Sequence, residues 1–190
     1  DGTGMTRITG AEGNHRASFN ANGTYFVDSW SDVNTPTRVR LNDSMGKQVR
    51  AIDENKVDAL GQYKLGKVEF VNVKTRDGFT MEAMMIKPPD FDPARRYPVY
   101  QFAYAGPHLQ QVVNGWAGLE FMYHQLLAQK GYIVVSVDGR GTGARGKEFK
   151  SITYKNLGKW EANDQIEAHA RVLGQAGRGR IEDERVGHGP

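Results

Sequence analysis

The stretch Tyr132–Phe149, YIVVSVDGRGTGARGKEF, decides how the rest of the chain reads. It opens on YIVVSV, a continuous apolar run. Such a run marks a strand covered by helices on both sides, as in a mostly parallel α/β sheet. Gly141, Gly143 and Gly146 follow it at once in a GxGxxG pattern. A dinucleotide loop of that pattern opens a helix and has an acidic residue on the next strand about 20 residues later. Here the following segment KEFKSITYKNLGKW is polar, contains Gly158, and shows no helical stripe before about Trp160. A helix starting there is too distant to aim its amides at a phosphate held by Gly141 and Gly143. The glycines therefore read as a strand-exit turn using positive φ angles.

Working outward, KVEFVNVKT and MEAMMIKP alternate apolar and polar residues across Asp77-Gly78, which predicts a hairpin that Pro88 and Pro89 stop. YPVYQFAYAGP is the next strand. GLEFMYHQLLAQKG carries Leu119, Met122 and Leu126, with Tyr123 and Leu127, at helical spacing, and Gly131 is placed to end the helix. After YIVVSV, WEANDQIEAHARVLG predicts a helix with Ala162, Ile166, Ala170 and Leu173 on its apolar stripe and Gly174 beyond its end. RVGHGP reads as the start of another strand. From about Lys67 the order is thus β-β-β-α-β-α-β.

Before about Leu60 the grammar differs. HRASFN, TYFVDSWS, TRVRLND and KQVRAI are short alternating segments, separated at Asn22-Gly23, Asn34 to Pro36 and Ser44 to Gly46. Four antiparallel strands in succession form one propeller blade or a free-standing meander. A single blade leaves its edges and faces uncovered, so it belongs in a larger array.

Composition bounds the function. The chain has 190 residues, 38% hydrophobic and 25% charged, enough for one α/β domain or two smaller pieces with a core. No apolar run approaches the ~18 residues of a membrane-spanning helix. The absence of cysteine excludes disulfides, thiolate catalysis and cysteine-ligated metal. The net charge of +3 is spread with both signs interleaved, and Glu182, Asp183 and Glu184 offset Arg178, Arg180 and Arg185, so no nucleic-acid surface is expected. His15, His108, His124, His169 and His188 show no zinc spacing, and no metal or cofactor is expected. Asp1 opens the sequence with no signal peptide, and the compartment stays open.

In open α/β sheets chemistry gathers at the carboxyl ends of strands. Two ends stand out, AYAGPHLQ after the third strand of this half and DGRGTGARG after the fourth. In α/β-hydrolases the loop after the third strand contributes to the oxyanion hole. Tyr104 would stand beside that hole with a hydroxyl able to donate to an oxyanion; the alternative is a packing tyrosine.

The segments MMIKPPDFDPARRYPVYQFAYAGP, HQLLAQKGYIVVSVDGRGTGARGKEFK and TYKNLGKWEANDQIEAHARVL resemble consecutive parts of the dipeptidyl peptidase IV branch of the prolyl oligopeptidase family, over about Lys67 to Gly187. SFNANGTYFVDSWSDVNTP resembles the last propeller blade before the hydrolase domain of that family. The resemblance implies an α/β fold: residues 1–62 end an N-terminal β-propeller as an antiparallel four-stranded blade, and residues 63–190 form a partial α/β-hydrolase sheet, the N-terminal half of a peptidase domain. It implies serine-type release of dipeptides after proline or alanine from peptide N-termini, a peptide substrate, a homodimeric parent, and a periplasmic or extracellular setting. It places the oxyanion tyrosine on Tyr104 and the family's glycine-rich turn on Asp138 to Gly143.

The departure lies at the end. In the family the strand that begins like Arg185-Val186-Gly187 leads to GWSYGG, whose serine is the nucleophile, whereas this sequence ends RVGHGP. A proline fits a central strand poorly. The six serines, Ser18, Ser29, Ser31, Ser44, Ser136 and Ser151, are none of them flanked as GxSxG. The nucleophile, triad aspartate and triad histidine are therefore expected outside this chain, and the chain alone is expected to be inactive. A non-catalytic interaction module, or an acylaminoacyl peptidase or esterase of the same fold, are the alternatives. Two structural expectations follow: the strands ending at Tyr104 and Val137 are neighbours in a mainly parallel sheet with both loops on one edge, and YIVVSV and the Trp160–Leu173 helix show uncovered apolar surface.

Overall fold

The computed structural model describes residues 3–176, with side chains to Val172. The chain divides into two compact units, one of residues 1–63 with 113–121, the other of residues 64–112 with 122–190.

The first unit is an antiparallel sheet in the order β1 (Asn14–Phe19), β2 (Tyr25–Asp32), β3 (Thr35–Asp43), β4 (Gln48–Asp53). All four expected strands form. β2 alternates, burying Phe26, Asp28 and Trp30. Trp30 donates its indole N–H to Glu12 O at 2.8 Å, and the Arg38 and Arg40 guanidiniums lie 5.7 and 5.2 Å from its ring. β4 is exposed along its whole length, and Phe19, Tyr25, Val49 and Ile52 face solvent.

The second unit has the sheet order β5 (Val68–Lys74), β6 (Thr80–Ile86), β8 (Ile133–Asp138), β7 (Val99–Phe102). β5 and β6 form the expected hairpin, closed by Thr75 N–H to Phe79 O at 2.8 Å and Gly78 N–H to Thr75 O at 3.1 Å. β7 and β8 are parallel neighbours, Phe102 opposite Ser136, so the loops after them leave one edge of the sheet. The sheet is mixed rather than mainly parallel, because β8 runs antiparallel to the hairpin strand β6. All six residues of β8 are buried, which removes the uncovered apolar surface expected of that strand.

On one face Val73, Met81, Ala83, Met85, Ile133, Val135 and Val137 pack with Ala168 and Val172 of α3 (Lys159–Ala176). On the other face Phe102 meets His124 of α1 (Leu119–Gln129), ring centroids 5.2 Å apart. Both helices form, but each turns a different side inward from the one its apolar residues mark. α1 buries Phe121, His124, Gln125 and Ala128 and leaves Leu119 89% exposed. Gln125 takes an inward place because its amide pairs with the Gly66 backbone, accepting from N–H at 2.7 Å and donating to O at 2.8 Å. α3 buries Glu161, Asp164, Ala168 and Val172, and Ile166 of the expected stripe is 64% exposed. α3 also continues through Gly174 to Ala176, because a glycine costs a helix only about 1 kcal/mol. The expected strand at RVGHGP lies outside the described residues.

Candidate functional site

Two loops meet at the carboxyl edge of the second sheet, residues 103–112 after β7 and residues 139–146 after β8. The second answers to the glycine pattern. Gly139 packs so closely on α3 that a Cβ there would stand 2.8 Å from Asp164 Cβ. Gly141 has φ +101°, a conformation L side chains rarely adopt, and a Cβ on it would stand 2.6 Å from Thr153 Cγ2. The amides of Arg140, Gly141 and Thr142 are already spent on Asp164 Oδ2 (2.7 Å), Phe149 O (3.0 Å) and Gly139 O (3.2 Å). An anion would find none of these three free. A short helix, α2 (Lys147–Ser151), does open after Gly146, where the sequence pattern predicts none; it has no side-chain cap and bears Glu148 in its first turn.

The loop is held by Arg140, whose guanidinium is buried. It donates through Nη2 and Nε to Asp164 (2.6 and 3.0 Å) and through Nη1 to Asp77 Oδ2 (2.7 Å), with its carbon 4.4 Å from the Trp160 ring and 5.0 Å from Phe79. The hydrogen bond to Asp164 raises the arginine pKa further above its ordinary value, so the charge is permanent. The Asp77 carboxyl is held below its usual range, first by the Thr75 hydroxyl and then by Arg140.

Asp138, at the end of β8, is buried and accepts from the Gln111 N–H (2.9 Å), the Val112 N–H (3.1 Å) and Arg145 Nη2 (3.2 Å). Glu82 of β6 stands directly opposite Asp138 in the sheet, a like-charge pair that repels unless a cation intervenes. Arg145 is that cation, with Nη1 2.6 Å from Glu82.

Tyr104 lies in the first loop and is 50% exposed, so it is not a core residue. Its hydroxyl has no hydrogen-bond partner among the described residues. The ring folds over Gly106, where a Cβ would stand 2.6 Å from Tyr104 Cε1. Ala105 between them has φ +52°, a left-handed backbone in a non-glycine residue, and such strain collects at functional loops. Beside both loops a groove of about 1040 Å³ is lined by Pro107, Ala144, Lys147, Lys150, Tyr154 and Leu157 among others.

The hydroxyl of Ser31 accepts the Trp116 N–H at 3.1 Å. His15 pairs with a carboxylate, Asp28, through Nδ1 at 2.8 Å, but its Nε2 is taken by Ala11 O at 2.9 Å, leaving no nitrogen for a nucleophile. No cluster of metal-binding side chains occurs among the described residues, and none of their helices is long and apolar enough to cross a membrane. The sequence pointed to Tyr104 and to Asp138–Gly143; it did not reveal the contacts of Asp77 and Asp164 with Arg140 or of Arg145 with Glu82, which join residues far apart in the chain.

Most of the chain is similar to known proteins. The profile of the prolyl oligopeptidase family matches residues 120–188. Dipeptidyl peptidase 4 of Trichophyton rubrum is 36% identical over 84% of this chain and 21% of its own length. A probable dipeptidyl-aminopeptidase B of Botryotinia fuckeliana is 35% identical over 88% of this chain and 18% of its own. The crystal structure of Porphyromonas gingivalis dipeptidyl peptidase 4 superposes with a TM-score of 0.86 at 39% identity, covering 94% of this chain and 25% of that one. The chain belongs to the prolyl oligopeptidase family, in its dipeptidyl peptidase IV branch. It spans about a fifth of the length of the curated relatives it matches.

Proposed function

We propose that these residues are part of a serine-type dipeptidyl peptidase, in which residues 1–62 are the last blade of a β-propeller and residues 63–190 the first half of an α/β-hydrolase domain. The substrate is a peptide, cleaved after its second residue where that residue is proline or alanine, and by family resemblance the complete enzyme is a homodimer. The names of the matched relatives favour this over an acylaminoacyl peptidase or an esterase.

The observation that carries the proposal is Tyr104: a half-exposed phenol whose hydroxyl has no partner among the described residues, on a strained loop at the carboxyl end of a parallel strand. In acyl transfer a serine oxygen attacks the peptide carbonyl carbon and the carbonyl oxygen becomes an oxyanion. A donor aimed at that oxygen lowers the barrier, because it strengthens as charge develops. Tyr104 O–H is that donor. The tetrahedral species then collapses, expels the leaving amine, and water releases the dipeptide from the acyl-enzyme.

Nucleophile and base lie outside these 190 residues, since no serine here is flanked as GxSxG. The test is direct. The 190-residue chain neither hydrolyses a Gly-Pro or Ala-Pro reporter nor is labelled by a serine-directed phosphonate, and a longer chain that continues into GWSYGG does both. Reporter turnover by the 190-residue chain at the rate of a complete peptidase sinks the proposal.

A further inference from the structure

We propose that Asp138 is a positioning residue for Tyr104: its buried carboxylate closes the loop that carries the tyrosine and so fixes where the phenol stands. The inference rests on the reading of Tyr104 as an oxyanion donor. The loop leaves β7 at Phe102, which is paired with Ser136 of β8, and it returns to the same strand at Gln111 and Val112, whose amides both end on Asp138. Ser136 and Asp138 are two residues apart and share a face of the sheet. Both ends of the loop are therefore tied to one strand, two positions apart.

The clasp uses a carboxylate specifically. It accepts one amide on each oxygen, at 2.9 and 3.1 Å, and the Arg145 guanidinium on the second oxygen at 3.2 Å. Three donors converge on an acceptor that has no proton to offer. An asparagine of the same shape presents an NH2 group where one oxygen stood, so a donor faces a donor. Arg145 also belongs to the glycine loop, so the carboxylate ties both loops together.

In a full-length peptidase carrying this segment, Asp138→Asn is compared with Tyr104→Phe and with the double variant. Loosening the loop displaces the phenol, and a displacement near 1 Å costs roughly 100-fold in turnover, so kcat is expected to fall roughly 10- to 100-fold with KM little changed. In the Tyr104→Phe background there is no hydroxyl left to misplace, and the same substitution changes kcat by less than about threefold. Hydrogen exchange at the Gln111 and Val112 amides accelerates at least about tenfold, while β8 amides stay protected. Arg145→Gln is the milder variant, its effect likewise vanishing in the Tyr104→Phe background, should Asp138→Asn not fold. Equal losses of kcat in both backgrounds overturn the inference, because Asp138 then acts on the fold at large. Unchanged exchange at the two amides overturns the clasp itself. Accelerated exchange together with a Tyr104→Phe variant of full activity overturns the role of Tyr104, and with it any positioning role for Asp138, while leaving the clasp as a structural feature.

Discussion

Replacing Asp164 by alanine removes the principal counter-ion of Arg140 and gives the most informative stability test. Asp164 is fully buried and receives the Arg140 amide at 2.7 Å, Nε at 3.0 Å and Nη2 at 2.6 Å. The side chain of Arg140 is 7% exposed, and its charge stays on whatever happens to its partner. Removing one member of a buried pair costs about 3 to 5 kcal/mol, because an uncompensated charge is left inside. Asp77, Trp160 and Phe79 remain around the guanidinium, so the lower part of that range, about 3 kcal/mol, is expected. For a chain of this size 1 kcal/mol moves the melting temperature by about 2 to 4 °C, so a drop of about 6 to 12 °C follows. The control is Glu54→Ala, which breaks a 3.8 Å pair with Arg38 between solvent-facing side chains and should cost less than about 0.5 kcal/mol. Urea midpoints and thermal scans measure both. Asp164→Ala within about 1 kcal/mol of the Glu54→Ala control would refute the claim that this pair holds the glycine loop.

Further outcomes rest on the same geometry. Gly139→Ala pushes a methyl to 2.8 Å from Asp164 Cβ and should cost about 1 to 3 kcal/mol, read as a lower urea midpoint; wild-type stability would mean that α3 yields freely. Gln125→Leu keeps the volume but strips both bonds from the Gly66 backbone, leaving an N–H and a carbonyl unsatisfied, for about 2 to 4 kcal/mol by the same assay. Asp77 is held below its ordinary 3.8, so its ion pair contributes stability above that value and loses it as pH falls through the lowered one. Asp77→Asn should therefore flatten the acid limb of a stability-against-pH profile, and identical profiles would show that Asp77 carries no part of it.

The elements were legible in the sequence where one physical pattern dominates. The four strands of the first sheet, the β5–β6 hairpin and the apolar run of β8 all form where alternation and turn residues place them. Helix faces were not legible, because in α1 and α3 some inward positions are held by polar side chains, Gln125 and Asp164 among them, with distant partners. Gln125 meets a backbone 59 positions away, and Asp164 meets Arg140 across 24. An apolar stripe marks the core only when no polar group inside is satisfied, and here several are. The mixed sheet has a related cause: β8 pairs with both β6 and β7, and no local pattern announces a strand inserted beside a hairpin. At the site, Tyr104 and the glycines of residues 139–143 could be singled out from local sequence. Asp138 could be read only as the head of the DGRGTG turn, since its function depends on two amides 26 and 27 positions earlier.

The central claim is that the Tyr104 hydroxyl is an oxyanion donor of a serine dipeptidyl peptidase. The measurement that meets it most directly is steady-state hydrolysis of a Gly-Pro reporter by a full-length peptidase carrying this segment, with tyrosine and with phenylalanine at position 104. Removing the one hydroxyl should lower kcat by roughly 100- to 1000-fold while KM changes much less, because the bond is made to the transition state rather than to the bound peptide. An unchanged kcat, or a loss confined to KM, would contradict the account.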